Sequence, residues 1–256
     1  MSADELVIPR ESLQIASVDR REVLRYLGHR EQELTSEFEA LLDETIARCL
    51  NVATPRMALR SFALANTESA AAVNDAAYGT TATAGEPAAL RLVGSQLELV
   101  GCDIAKHLAG ADRVVLMAVT TGNAIDQELR RLSFGNSLEQ LVFDAAATAL
   151  VERVADVAEA RVRDWAASMQ RFTSWRFSPG YGDLPLETQR LLLASLDATR
   201  QLGITLTDSL LMAPTKSVSA IMGVHAVPQS GMASSCSICS LFEFCTQRLQ
   251  GRTCCG

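Results

Sequence analysis

The chain has 256 residues and a mass of 27.6 kDa, with 48% hydrophobic and 21% charged residues, enough for one large domain or two small ones and inconsistent with wholesale disorder. Thirty acidic against 23 basic side chains give a net charge of −7, which argues against a protein that grips nucleic acid through its phosphates. The densest apolar run, residues 114–119, is far short of the ~20 residues needed to cross a bilayer, and the acidic start Met1-Ser2-Ala3-Asp4-Glu5 lacks the layout of a secretory signal, so a cytoplasmic protein is expected.

In chain order, Asp19 precedes a helical pattern over residues 20–27, which Gly28 interrupts. Leu34, Phe38, Leu41, Leu42 and Ile46 then recur at helical spacing within a second helix predicted over 31–50. Pro55 closes this helical pair, and Met57, Leu59 and residues 62–64 read as a strand. Residues 66–87, rich in Ala, Thr and Gly, read as a loop. Residues 90–93 and 97–100, split by Gly94-Ser95, make a hairpin pattern.

A short helix over 103–108 ends near Gly110, a buried strand follows over 113–120, and Gly122 opens a helix to Leu132. The longest helical pattern covers 137–169. A strand over 172–177 leads into the compact turn Ser178-Pro179-Gly180-Tyr181-Gly182-Asp183, and a helix over 186–202 stops at Gly203. Strands over 204–212 and 217–224 are joined through Ala213-Pro214-Thr215-Lys216. Together these predict an α+β (mixed α/β) fold, a twisted, largely antiparallel central sheet flanked by helices, with the N-terminal helical pair packed on it. The expected organisation is a helical segment over 1–54, a main domain over 55–230 and a cysteine-rich tail over 231–256.

Standard catalytic signatures are missing: there is no G-x-S-x-G, Walker A or G-x-G-x-x-G pattern. His29, His107 and His225 have no metal-ligand spacing and read as ordinary surface or core histidines. Three local patterns carry chemistry, each with a structural alternative. Arg176 near a strand end offers a planar fork of donors suited to a carboxylate, and Pro179, Gly180 and Gly182 build a turn that lets backbone approach a ligand beside Tyr181. The alternative is a common strand-to-helix turn with Arg176 in a structural salt bridge. Thr148, Glu152, Asp156, Glu159 and Arg163 form a polar stripe on the long helix, either a solvated face or the wall of a cleft where Glu152 attracts a cation. Ser217 and Ser219 share one strand face and either bind a ligand or bond their neighbours.

The order and spacing of these patterns resemble the activation domain of cobalamin-dependent methionine synthase. The family's R-x-x-P-G-Y motif is matched by Arg176, Pro179, Gly180 and Tyr181. A second motif is matched by Leu206-Thr207-Asp208-Ser209, Met212, Pro214 and Ser217-Val218-Ser219-Ala220, with Asp and Ala in place of the family's Glu and Gly. A third resembles Met117-Ala118-Val119-Thr120-Thr121-Gly122.

The resemblance implies binding of S-adenosylmethionine, with Arg176 on the methionyl carboxylate, the Gly180-Tyr181 backbone on the ligand, and Glu152 as the ligand-facing glutamate. It further implies methyltransferase-type reactivation of a cobalamin carried by a partner, a corrinoid protein or methionine synthase, with an electron donor. The region before Leu90 offers no match for the family's upstream ligand-binding aspartate, and residues 225–231 contain no tyrosine for its later contact. Nothing resembles the other synthase domains, so the chain looks like a free-standing homologue.

Cys236, Cys239, Cys245, Cys254 and Cys255 crowd the last residues. Four thiolates can hold zinc or an iron–sulfur cluster, although the spacing matches neither a zinc ribbon nor a ferredoxin run. A thiol switch and a plain tail are the other readings. The alternative to a methyl-transfer function is a non-catalytic docking or redox adaptor that uses this tail.

Overall fold

The computed structural model describes residues 5–30, 32–65 and 89–228. The predicted loop over 66–87 and the cysteine-rich tail lie outside the described residues.

The first element is a strand, β1 (Val7–Ser12), which the sequence pattern did not reveal. Its alternation is broken by Pro9 and by a register shift between Ile8 and Glu11, both tolerated because it is an edge strand. Helix α1 (Arg20–Tyr26) starts at Asp19, whose carboxylate accepts the Arg21 N–H, and Gly28 adopts φ 75 just beyond its end. Helix α2 (Ser36–Val52) begins later than predicted, because Thr35 supplies the cap by accepting the Phe38 N–H.

Strand β2 (Arg56–Ala63) is followed by the short hairpin strands β3 (Ala89–Arg91) and β4 (Glu98–Val100), as expected. Helix α3 (Cys102–His107), strand β5 (Ala111–Thr120), helix α4 (Asn123–Leu132) and the 32-residue helix α5 (Ser137–Ser168) then follow the predicted order. Asn136 caps α5 by accepting the N–H groups of Leu138 and Glu139.

Three later segments differ from the pattern. The strand expected over 172–177 pairs continuously only as β6 (Phe172–Thr173), then rejoins the sheet at a single Phe177–Ile221 bridge. The helix expected over 186–202 is split into α6 (Thr188–Ser195) and α7 (Ala198–Leu202) by Asp197, which takes a left-handed conformation at φ 51 and turns its carboxylate onto Arg200 and Gln201. The strand expected over 204–212 folds back as β7 (Thr205–Leu206) and β8 (Met212–Ala213), because the Thr207 hydroxyl accepts the Leu211 N–H and closes a turn. The last element, β9 (Ser217–His225), matches its expectation.

The sheet is antiparallel throughout, in the order β1-β2-β5-β9-β6. Alternation along its strands divides the core in two. Met57, Leu59, Val115, Met117, Val119, Ala220 and Met222 face α1, α2, α4 and α5, whereas Ala58, Phe62, Val114, Leu116, Ala118 and Ile221 face the β3–β4 hairpin, α3, α6 and α7. The residues before Thr54 thus supply a strand to the sheet as well as two helices to one layer. No helix among the described residues is long and apolar enough to cross a membrane.

Candidate functional site

Helix α5 buries one face in the sheet through small side chains such as Ala146, Ala147, Ala155 and Ala158. Its flank carries Asp144, Thr148, Glu152, Asp156, Glu159 and Arg163 at intervals of three or four, so these side chains stack in one row. Lys216, just before β9, closes one end of the row, with its ammonium 2.8 Å from both the Asp144 carboxylate and the Thr148 hydroxyl.

Arg176 closes the other end. The Phe177–Ile221 bridge fixes the backbone, and strand alternation sends Phe177 into the core below the sheet and Arg176 toward α5. Its Nε is ion-paired with Glu159 at 3.1 Å, and its Nη2 donates to Asp156 at 3.0 Å and to Glu152 at 3.5 Å. Its Nη1 is buried and has no hydrogen-bond partner. Glu159 is anchored a second time by Arg163 at 2.6 Å and is only 15% exposed, whereas Glu152 and Asp156 are 47% and 51% exposed. Three carboxylates against two guanidiniums leave this cluster one unit negative, an environment that favours a cationic ligand centre.

Two clefts flank the cluster. One, of about 430 Å³, lies between α5 and the start of α1 and is lined by Glu152 and Asp156 together with Ser17, Asp19, Glu22 and Arg153. The other, of about 730 Å³, is lined by Glu159, Arg163, Phe172, Trp175 and Pro228. Sequence reasoning missed the part taken by Asp156, Glu159 and the N-terminal segment. The helical spacing of the stripe already grouped the first two, but the approach of residues 17–22 is a tertiary event that no local pattern encodes.

The Pro-Gly turn is fastened from beneath. Pro179 is buried, the Gly180 N–H donates to the Leu184 carbonyl, and the Tyr181 N–H donates to the Ser178 carbonyl. Asp183 accepts the N–H groups of Cys102 and Asp103 at 2.5 and 2.9 Å, tying the turn to the start of α3. Gly182 sits at φ 54, and a Cβ there would meet the Asp103 carboxylate at 2.6 Å. Tyr181, 60% exposed, stands edge-on to Phe177 at 5.7 Å, and Phe177 in turn contacts His107.

Ser217 and Ser219 share a strand face, but it is the face opposite α5. The Ser217 hydroxyl donates to the Pro214 carbonyl and lies 2.9 Å from the Thr120 hydroxyl. The Ser219 hydroxyl donates to Gln189 on α6. The structure therefore brings Glu152 to Arg176 and leaves both serines in the other layer.

His107 is buried beside Ser174 at 2.9 Å, a pairing that superficially suggests a nucleophile and its base. Ser174 also accepts the Gly223 N–H, and both side chains are almost wholly buried, so the pair locks β6 to β9 rather than facing a substrate. Burial pushes the His107 imidazole down to about 4, keeping it neutral, and burial likewise lowers His225. Cys49 is buried and Cys102 exposed, both as free thiols. Among the described residues no group of three or more metal-ligating side chains is assembled. Cys236, Cys239, Cys245, Cys254 and Cys255 lie outside the described residues.

An antiparallel sheet between two helical layers, with an arginine-carboxylate cluster at its edge, defines a mixed α+β domain. The chain belongs to the family of the activation domain of vitamin B12-dependent methionine synthase, whose model matches residues 102–231, about half of the sequence. A solved structure described as the MetH reactivation domain bound to AdoHcy shares the fold, with a TM-score of 0.59 at 14% identity over 97% of this chain and 86% of the other. Comparison with curated proteins gave no match.

Proposed function

We propose that this protein binds S-adenosylmethionine and presents its methyl group to a cobalamin held by a separate corrinoid protein or methionine synthase. The observation that carries this reading is Arg176, presented on the open edge of the sheet beside Glu152 and Asp156 in a chain of the activation-domain family. The related MetH domain is described as bound to AdoHcy, the demethylated form of the same ligand, which supports the choice of ligand class.

In this reading Arg176 receives the methionyl carboxylate, and Glu152, half exposed on the cleft, faces the sulfonium. The Gly180-Tyr181 backbone contacts the ligand from the turn after Phe177, which is tied to α3. The reduced cobalt of the partner supplies the nucleophile. This chain's contribution is positioning, and no general base is needed because no proton leaves the reacting atoms.

Isothermal calorimetry tests the reading directly. Wild-type protein is expected to bind S-adenosylmethionine, and Arg176→Ala to weaken binding by about ten- to a hundredfold, the equivalent of a lost charge-assisted contact of about 1.5–3 kcal/mol. Absence of binding to the wild type, or unchanged affinity in the variant, refutes it.

A second reading, a docking or redox adaptor without a ligand, is favoured by the fact that Arg176 is already engaged by three carboxylates. In that reading the tail cysteines hold zinc or an iron–sulfur cluster. Metal analysis and a visible spectrum of anaerobically purified full-length protein decide it, since colourless, metal-free material removes the metal site. Anaerobic turnover with a reduced corrinoid protein and labelled S-adenosylmethionine separates the two readings.

A further inference from the structure

A guanidinium offers a carboxylate two forks, the side-on pair Nε and Nη2 and the end-on pair Nη1 and Nη2. In Arg176 the side-on fork is taken: Nε is held at 3.1 Å by Glu159, a carboxylate that is mostly buried and itself fixed by Arg163. The end-on fork is half taken. Nη2 lies 3.0 Å from Asp156 and 3.5 Å from Glu152, while Nη1 is a buried donor with no acceptor, a situation that costs free energy and that a carboxylate taking the place of Asp156 on this fork would relieve. Asp156 and Glu159 differ in kind, because Asp156 is 51% exposed and sits on the wall of the 430 Å³ cleft, where water reaches it.

We propose that Asp156 is a tethered competitor for the ligand's carboxylate, holding the end-on fork of Arg176 until an amino-acid carboxylate displaces it, while Glu159 keeps the guanidinium aimed. This rests on the reading that Arg176 binds the methionyl carboxylate. Asp156 then sets affinity and selectivity: a ligand has to offer a carboxylate good enough to replace an internal one, and uncharged adenosine derivatives gain nothing from its departure. The released carboxylate also remains close enough to face the ammonium or sulfonium of the ligand.

Calorimetry on the full chain tests the idea with S-adenosylhomocysteine, which carries the carboxylate, and 5′-methylthioadenosine, which lacks the amino-acid portion. An exposed ion pair is worth up to about 1 kcal/mol, so Asp156→Ala is expected to bind S-adenosylhomocysteine about three- to fivefold more tightly and 5′-methylthioadenosine unchanged. Asp156→Asn, which preserves shape and keeps a neutral acceptor, is expected to give a smaller gain in the same direction. If the wild type binds S-adenosylhomocysteine and both variants bind it equally or more weakly, Asp156 is no competitor and the proposal falls while the binding reading stands. An equal gain for both ligands overturns it too, since that reports a general change in the cleft. If neither the wild type nor the variants bind S-adenosylhomocysteine, the binding reading falls and takes the proposal with it.

Discussion

Arg176 and His107 sit on neighbouring stretches of chain and show two opposite uses of a polar side chain. Arg176 is directed toward α5 and meets three carboxylates there. His107 is turned inward, wedged between Trp175 and Phe177, and is held neutral by burial, with His225 nearby opposing its protonation. Because the unfolded chain binds a proton near pH 6.5 and the folded one only near 4, stability contributed by neutral His107 is complete above pH 6.5 and is lost as pH falls toward 4. The expected loss between pH 7 and pH 5 is about 2 kcal/mol, to be read from chemical denaturation at the two values. A His107→Phe variant should flatten that dependence, and an unchanged slope would assign it to other groups. Of these residues Arg176 was legible from its motif, whereas the role of His107 was not, since a lone histidine at helical spacing says nothing about which strand it will meet.

Among the elements, α5 acts as the rule against which the site is measured. Its polar row was readable from a period of three to four, and so was its start at Ser137, although not the cap that Asn136 supplies. The pattern could not say that one end of the row would receive Lys216 and the other Arg176, because both partners arrive from distant positions in the chain. The close seating of α5 depends on alanine at positions such as Ala158, fully buried one residue from Glu159. Ala158→Leu is expected to cost about 1–3 kcal/mol by overpacking and to lower ligand affinity as well, because α5 would be pushed from the sheet edge that presents Arg176. Thermal or denaturant unfolding together with calorimetry checks both effects, and a variant that loses stability with no loss of affinity would show that the site tolerates a shift of α5. Where local patterns failed, competing polar groups were responsible: Asp197 split a helix and Thr207 closed a turn, each by satisfying backbone or side-chain donors that a longer element would have used otherwise.

For the molecule as a whole, the N-terminal residues are part of the structure that carries the site. Leu6, Leu13, Val23, Leu42 and Cys49 all lie in the same core as α5, and β1 covers the edge of β2. Each fully buried aliphatic side chain contributes about 1.5–3 kcal/mol, so removing residues 1–54 strips an amount comparable to the ~5–15 kcal/mol that holds an ordinary domain together. The truncated chain is expected to be insoluble or to lack a cooperative unfolding transition by circular dichroism. A soluble, cooperatively folding fragment would instead establish residues 55–256 as an independent unit. The sequence by itself determined the alternation of elements, the antiparallel class of the sheet and the family motif around Arg176, Pro179, Gly180 and Tyr181, because periodicity, caps and turn residues act over a few neighbours. Only the tertiary structure decided that Ser217 and Ser219 face away from α5, that residues 17–22 wall the cleft, and that Asp156 and Glu159 share Arg176 with Glu152. Those outcomes depend on which face of a strand meets which helix and on pairings between charges far apart in the chain, and packing of the whole core is what fixes them.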